Sequence, residues 1–425
     1  VEATDWVTVG EGETEFVGYD KTSCPTRILR YRKVTQKNKE FYQIVLSATP
    51  FYAEMGGQVG DSGWLIDGEE KIEIYDTKRE NGQAVHLSKK LPSNVEAEFI
   101  AGINEANRRA TECNHTATHL LHAALREVLG THVEQKGSYV SPGMLRFDFS
   151  HFQKVTPEEL RKVEHIANAN VRKAIPLDEH RAMPIAEAME MGAMALFGEK
   201  YGEEVRVVKY GDSVELCGGT HVPNTGNIGT IRIISESSIA AGIRRIEAVT
   251  AGVAENMVDQ LTDDMRSVAE LLHNAPDVLQ ALRKSVEENA ELRKQAEEYM
   301  QERIRNIAKE CVEKGDTTNG IKFTSLTGVR VPDVVKGVAF AIRQLSPEKT
   351  AFVAATVDMS GKPLLTVALT DDLVKEGFNA STIVREAAKA IKGGGGGQPG
   401  FAQAGGKDKD GIATAFQSLR DAIRK

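Results

Sequence analysis

The sequence predicts a multidomain α+β protein: a small β-barrel, an α+β domain, a long helical or coiled-coil arm and a small C-terminal α/β domain. Three observations carry this. Short β-rich runs separated by turn residues fill the first hundred positions, helical and β-rich stretches then succeed one another, and no glycine occurs from 253 to 314. These put the domains at 1–105, 106–252, 253–315 and 316–425.

In the first domain the runs Ile28–Val34, Tyr42–Ser47, Ile72–Tyr75 and Val95–Ile100 are bounded by Gly, Asp, Asn and Pro, the signature of strands joined by turns. Closure into a barrel is the natural packing for so many short strands. From Glu105 the period changes: Leu120, Leu121, Ala124, Leu125 and Val128 recur at helical spacing, and Gly130 ends the run. Helices are expected at Pro157–Ala174 and Pro184–Phe197, and strands at Val205–Lys209 and Gly229–Ser235. In the arm, Leu279, Leu282, Val286, Leu292, Ala296, Met300, Ile304, Ile307 and Cys311 recur mostly every three or four residues, with a shorter helix before Pro276. Such an apolar stripe needs a hairpin mate or a second subunit. The last domain alternates β-rich Ala351–Asp358 and Leu364–Thr370 with helical Pro332–Leu345, Asn379–Ile391 and Ile412–Lys425, and carries five consecutive glycines, Gly393–Gly397.

Composition sets the broad class. Apolar residues make up 41% and charged residues 27% of 425, ordinary values for a soluble protein. No stretch approaches the ~18 apolar residues of a membrane helix, and no signal-peptide pattern opens the chain. Four scattered cysteines (Cys24, Cys113, Cys217, Cys311) suit a reducing, cytoplasmic setting. The net charge of −8 is uneven: residues 316–425 hold 15 Lys/Arg against 11 Asp/Glu, so that the preceding 315 carry −12. A mildly basic tail domain can meet phosphate locally.

Two short motifs carry the chemistry. His115 and His119 in HTATH are four residues apart, on one face of the predicted helix. Cys217 and His221 in CGGTH lie in a glycine-containing turn, 98 positions further on. Three imidazoles and one thiolate suit a tetrahedral Zn²⁺. A lone histidine on a helix is usually a surface or core residue, the reading taken for His122, and Cys113 is read as a thiol without a role.

The motifs TPFYAEMGGQVGDSG (Thr49–Gly63), NHTATHLLHAALREVLGTHVEQKGS (Asn114–Ser138), LRFDFSH (Leu145–His151), GAMALFGEKYG (Gly192–Gly202), CGGTHV (Cys217–Val222), GIRRIEAVTA (Gly242–Ala251) and GGGGGQPGFAQAGG (Gly393–Gly406) stand in one order. In that order they resemble the C-terminal half of alanyl-tRNA synthetases, along the whole chain. The resemblance implies a proofreading domain that hydrolyses Ser-tRNA(Ala) and Gly-tRNA(Ala), with His115, His119, Cys217 and His221 as ligands of one zinc. It implies that Gln135 orients water or substrate and that Arg244 lines the pocket for ribose or phosphate. Thr118 and Thr220, beside the ligands, are candidates for the seryl hydroxyl. The glycine-rich Met55–Gly63 is either a set of turns or a wall of that pocket. Gly393–Gly397 is a linker by composition, but the likeness to a domain shared with DHH-family phosphodiesterases implies a nucleic-acid surface.

The implied partner is tRNA(Ala) with its aminoacylated 3′ end; no membrane is implied, and a homodimer through the arm and last domain is open. No class II ATP-binding motif or P-loop is legible, so ATP and alanine activation belong to a half not in these residues. A first residue that is valine is read as a sign of excision from a longer chain. The alternatives are a free-standing editing protein and a non-catalytic tRNA-binding module with structural zinc.

Overall fold

The computed structural model describes residues 1–195 and 199–424. They form two compact units, Val1–Ser267 and Val268–Lys425.

The first unit opens with a nine-stranded sheet. Its spine is the 14-residue strand Ser23–Gln36, which pairs with Lys39–Leu46 and with Glu98–Ile103. A register shift between Ile28 and Arg30 marks a bulge, which bends the strand. The edge strands Glu70–Ile74 and Asp76–Glu80 are separated by Tyr75 alone, yet lie at opposite ends of the hydrogen-bonded path. The sheet therefore curls back at a covalent corner, but among the described residues no ladder joins its edges. This corrects the expected closed barrel: short strands and turns were read properly, but closure depends on pairing between edges, which local periodicity does not encode. Val95–Ala97, expected at the head of a strand, precedes Glu98–Ile103 as turn.

The helix Glu105–Leu129 organises the rest of the unit. Asn104 caps it, its side chain accepting from the Asn107 amide at 3.1 Å, and Gly130 ends it at φ +125°. Its Leu120, Leu121, Ala124 and Leu125 enter a core with Phe147, Phe149, Val163, Ala167 and Ile246. Each fully buried leucine of that kind contributes roughly 2 kcal/mol. The core is covered by helix Pro157–Arg172, which Thr156 and Glu159 start with a capping box. Beneath lies a four-stranded antiparallel sheet in the order 135–140, 145–150, 243–250, 231–240. A three-stranded sheet of 178–184, 204–210 and 213–216 leads into the CGGTH turn, and the helix Ala251–Leu271 follows strand 243–250 of the four-stranded sheet. The helix expected at Pro184–Phe197 spans Ile185–Glu190; its last positions, and the centre of the GAMALFGEKYG motif, lie outside the described residues.

The second unit has a six-stranded sheet in which only Ile321–Leu326 and Thr350–Val357 run parallel. The latter strand is buried on both faces. Ala351, Val353 and Ala355 meet Val384, Ala387 and Leu419, while Phe352 and Ala354 meet Val335, Val338 and Ile342, the two-residue alternation of a sandwiched strand. The 37-residue helix Val278–Lys314 sends Ile304, Ala308 and Cys311 into the second of these cores, while Leu279, Leu282, Val286, Leu292 and Tyr299 stay exposed. The glycine run is not a linker. Gly394–Gln398 is the edge strand, paired with Phe401–Gly405. A Cβ at Gly395 would lie 2.2 Å from the Gln403 carbonyl oxygen, so the close approach requires glycine. No described helix is long and apolar enough to cross a membrane.

Candidate metal centre

The face of helix Glu105–Leu129 opposite its leucines presents His115, His119 and His122, and the CGGTH turn lies against it. One donor atom from each of His115, His119, Cys217 and His221 falls in a group within 4.8 Å of one another. Cys217 Sγ stands 3.4 Å from His115 Nε2 and 3.3 Å from His221 Nε2. Zinc bonds of about 2.0–2.3 Å put tetrahedral ligands roughly 3.3–3.7 Å apart, so this spacing fits zinc.

Each ring is held from outside. His115 Nδ1 faces Gln58 Oε1 at 2.7 Å, and the Thr220 amide donates to the same oxygen at 2.9 Å. Gln58 Nε2 in turn donates to Thr220 Oγ1 at 2.7 Å. Gln58 is fully buried because Gly57 and Val59 exchange backbone bonds with Val140. His221 Nδ1 faces Thr116 Oγ1 at 2.9 Å, which also accepts from the Val222 amide. His119 Nε2 meets Glu215 at 2.9 Å, and the other Glu215 oxygen takes His122 Nδ1 at 2.6 Å. His119 Nδ1 is left buried with no hydrogen-bond partner among the described residues. Such an orphaned atom beside three converging donors is what a metal ion would satisfy.

The turn is fixed by Arg206, which donates to the Cys217 and Gly219 carbonyls at 2.8 and 2.6 Å, and by Tyr19, which donates to the Gly218 carbonyl at 2.5 Å. The guanidinium lies 4.1 Å over the Tyr19 ring. Gly219 is obligatory: a Cβ there would sit 2.2 Å from His115 Cε1 and 2.6 Å from Gln58 Oε1.

The charges are tightly coupled. Burial opposes a thiolate at Cys217, but the His115 and His221 rings outweigh it and hold the thiol well below its usual range. Burial likewise opposes a proton on His119, yet Glu215 lifts that ring to about 10. Glu215 is held well below the carboxylate range, His119 and His122 overcoming its burial. Burial, then repulsion from His115, keeps His221 low. Protons and a metal therefore compete for the same atoms.

The cluster opens into a cavity of about 260 Å³ lined by His115, His119 and Cys217 together with Gln135, Tyr52 and Met55. Gln135 lies at a bulge between Gln135 and Gly137 and donates to Ser138 Oγ at 3.0 Å. Met55 and Gly56 also line the cavity, so part of the Met55–Gly63 segment is a pocket wall. Three of the sequence candidates are placed differently. Arg244 is not among the lining residues; its guanidinium is paired with Glu236 at 2.8 and 2.6 Å, on the strand beside its own. Thr118 gives its hydroxyl to the Asn114 carbonyl one turn back, at 2.8 Å. Thr220 is bound to Gln58. Strand and helix neighbours took these groups, and a motif cannot show that. Cys113 lies outside the cluster, its Sγ 3.4 Å from the Asn227 carbonyl and its thiol pushed up to about 11 by burial.

Sequence reasoning missed Gln58, Thr116, Glu215 and Arg206. Gln58 lay within the glycine-rich segment and Glu215 two residues before Cys217, so proximity to the motifs was a usable signal for both. Arg206 had none.

Comparison with known proteins finds relatives along the whole chain. It is 58% identical over 423 residues to an alanine–tRNA ligase of Parabacteroides distasonis, covering 100% of this chain and 48% of that protein. It is 54% identical over 419 residues to one of Bacteroides fragilis, covering 99% and 48%. For one of Cytophaga hutchinsonii the values are 48% over 431 residues, 100% and 49%. The chain thus spans about half the length of the curated relatives it matches. The family model described as tRNA synthetases class II (A) matches residues 2–105. That described as Threonyl and Alanyl tRNA synthetase second additional domain matches 205–247, and the DHHA1 domain matches 320–425. A crystal structure of the C-Ala domain from Aquifex aeolicus alanyl-tRNA synthetase covers 26% of the chain, and 99% of its own, at 24% identity with a TM-score of 0.23.

Proposed function

We propose that the first unit is an editing hydrolase, which removes seryl and glycyl groups from wrongly charged tRNA(Ala), and that the DHHA1-like region binds the tRNA. The observation that carries the reading is four converged zinc donors, three of which line a cavity, in a chain similar over its whole length to alanine–tRNA ligases. The need for such an activity is physical. A pocket built for alanine rejects glycine by only about 1–3 kcal/mol and tolerates an added hydroxyl poorly discriminated by packing, so a second site must do the sorting.

His115, His119, Cys217 and His221 would hold the zinc, and Gln58, Thr116 and Glu215 would keep their rings aimed at it. Zinc, when bound, supplies a Lewis acid for the ester carbonyl or for a water molecule. Gln135, which lines the cavity and donates to Ser138 Oγ, would use its amide oxygen to accept a hydrogen bond from a seryl hydroxyl. An alanyl ester would leave that group unpaired. Arg244, paired with Glu236, is given no contact with the substrate in this reading. No ligase chemistry is assigned to these residues. We propose further that the setting is cytoplasmic and that the exposed stripe Leu279–Tyr299 of the arm, with the last domain, forms a homodimer contact.

A second reading is favoured by one observation: four protein ligands close a zinc shell, as in structural sites. Deacylation assays on the purified chain separate the two. Hydrolysis of Ser-tRNA(Ala) with Ala-tRNA(Ala) spared, lost in Cys217→Ala together with the metal, supports the hydrolase. Equal rates on both esters, or a fully active Cys217→Ala, would overturn it.

A further inference from the structure

A second cavity, of about 500 Å³, adjoins the metal cavity and shares Tyr52, Met55 and Gly218 with it as a common wall. Its lining is aromatic. Phe16 meets Tyr19 edge-on at 5.0 Å and Tyr52 at 6.3 Å. Two guanidiniums, Arg30 and Arg79, face one carboxylate, Glu13, leaving the lining positive among the described residues. Arg30 is engaged with Gln83. Arg79 is exposed, and its guanidinium makes no hydrogen bond or ion pair among the described residues. The Thr14 hydroxyl, also in the lining, is buried without a hydrogen-bond partner.

Aromatic rings, an uncommitted guanidinium and an orphaned hydroxyl are what a single-stranded nucleotide uses. A base stacks on the rings for about 1–3 kcal/mol, the phosphate meets the cation, and base-edge atoms take the free hydroxyl. An ester delivered to the metal cavity hangs from a polynucleotide that has to leave it, and the shared wall joins the two spaces. We propose that this second cavity binds the nucleotide preceding the esterified terminal nucleoside, its base against Phe16 and Tyr19 and its phosphate toward Arg79. The proposal rests on the editing reading for its substrate, but its test does not.

Binding of a fluorescein-labelled CCA trinucleotide to the full chain is followed by anisotropy, with adenosine binding as the control. Arg79→Gln is expected to weaken the trinucleotide about tenfold and adenosine less than twofold, while Arg79→Lys restores most of the loss. Hydrolysis of Ser-tRNA(Ala) by the wild-type chain is measured alongside. Trinucleotide binding that is absent in the wild type, or unchanged in Arg79→Gln, overturns the proposal. So does an equal loss for adenosine. A wild-type chain that binds the trinucleotide through Arg79 but hydrolyses nothing keeps this cavity and sinks the hydrolase reading.

Discussion

Gln58 lies outside both metal motifs, yet substituting it should weaken zinc. Its Oε1 takes the His115 ring at 2.7 Å and the Thr220 amide at 2.9 Å, and its Nε2 holds the Thr220 hydroxyl, all fully buried. Gln58→Ala strands a donor on a ligand ring and another in the turn that carries Cys217 and His221. Each stranded group costs about 1–3 kcal/mol when no water replaces the partner. If one such loss falls on the metal-bound state, affinity drops roughly 10- to 100-fold, the range seen when a hydrogen-bond partner of a ligand is removed. Gln58→Glu keeps an acceptor for both donors and should hold affinity within a few-fold of wild type. Competition against a chromophoric chelator gives the affinities, and thermal melting of the metal-free protein shows whether the fold has suffered. Zinc affinity unchanged in Gln58→Ala, or lost equally in Gln58→Glu, would refute the reasoning.

Three further outcomes are expected. Gly219→Ala should cost more than tenfold in zinc content at fixed free metal and should also lower the metal-free melting point, because the added methyl overlaps His115 and Gln58; equal metal content would contradict this. Arg108→Met should destabilise by about 3–5 kcal/mol in urea unfolding, since it leaves the buried Asp61 carboxylate without its partner and the Gly18 and Pro50 carbonyls without a donor; a loss below about 1 kcal/mol would show that the site relaxes. His86 is wholly buried between Thr49 and Ile44, and burial lowers it from 6.5 to about 4. The unfolded chain therefore binds this proton first. The stability from His86 is complete above pH 6.5 and is lost as pH falls toward 4, about 3 kcal/mol in all. His86→Gln should flatten that part of the pH–stability curve.

The sequence by itself determined what local chemistry and periodicity can carry. The leucine spacing located the buried helix to within a residue, because one face had to repeat every three or four positions. The His-x₃-His and Cys-x₃-His spacings named the four donors, because a helix turn and a glycine turn each bring two such groups together. What only the tertiary structure decided is who stands beside whom across long separations. It set Gln58 behind His115 and Glu215 between His119 and His122, and gave Arg244 to Glu236. It left the curled sheet unclosed at Tyr75 and made a paired edge strand of five glycines that composition reads as a linker. These depend on strand pairing and on competition for each polar group among neighbours distant in sequence, and no motif records that competition.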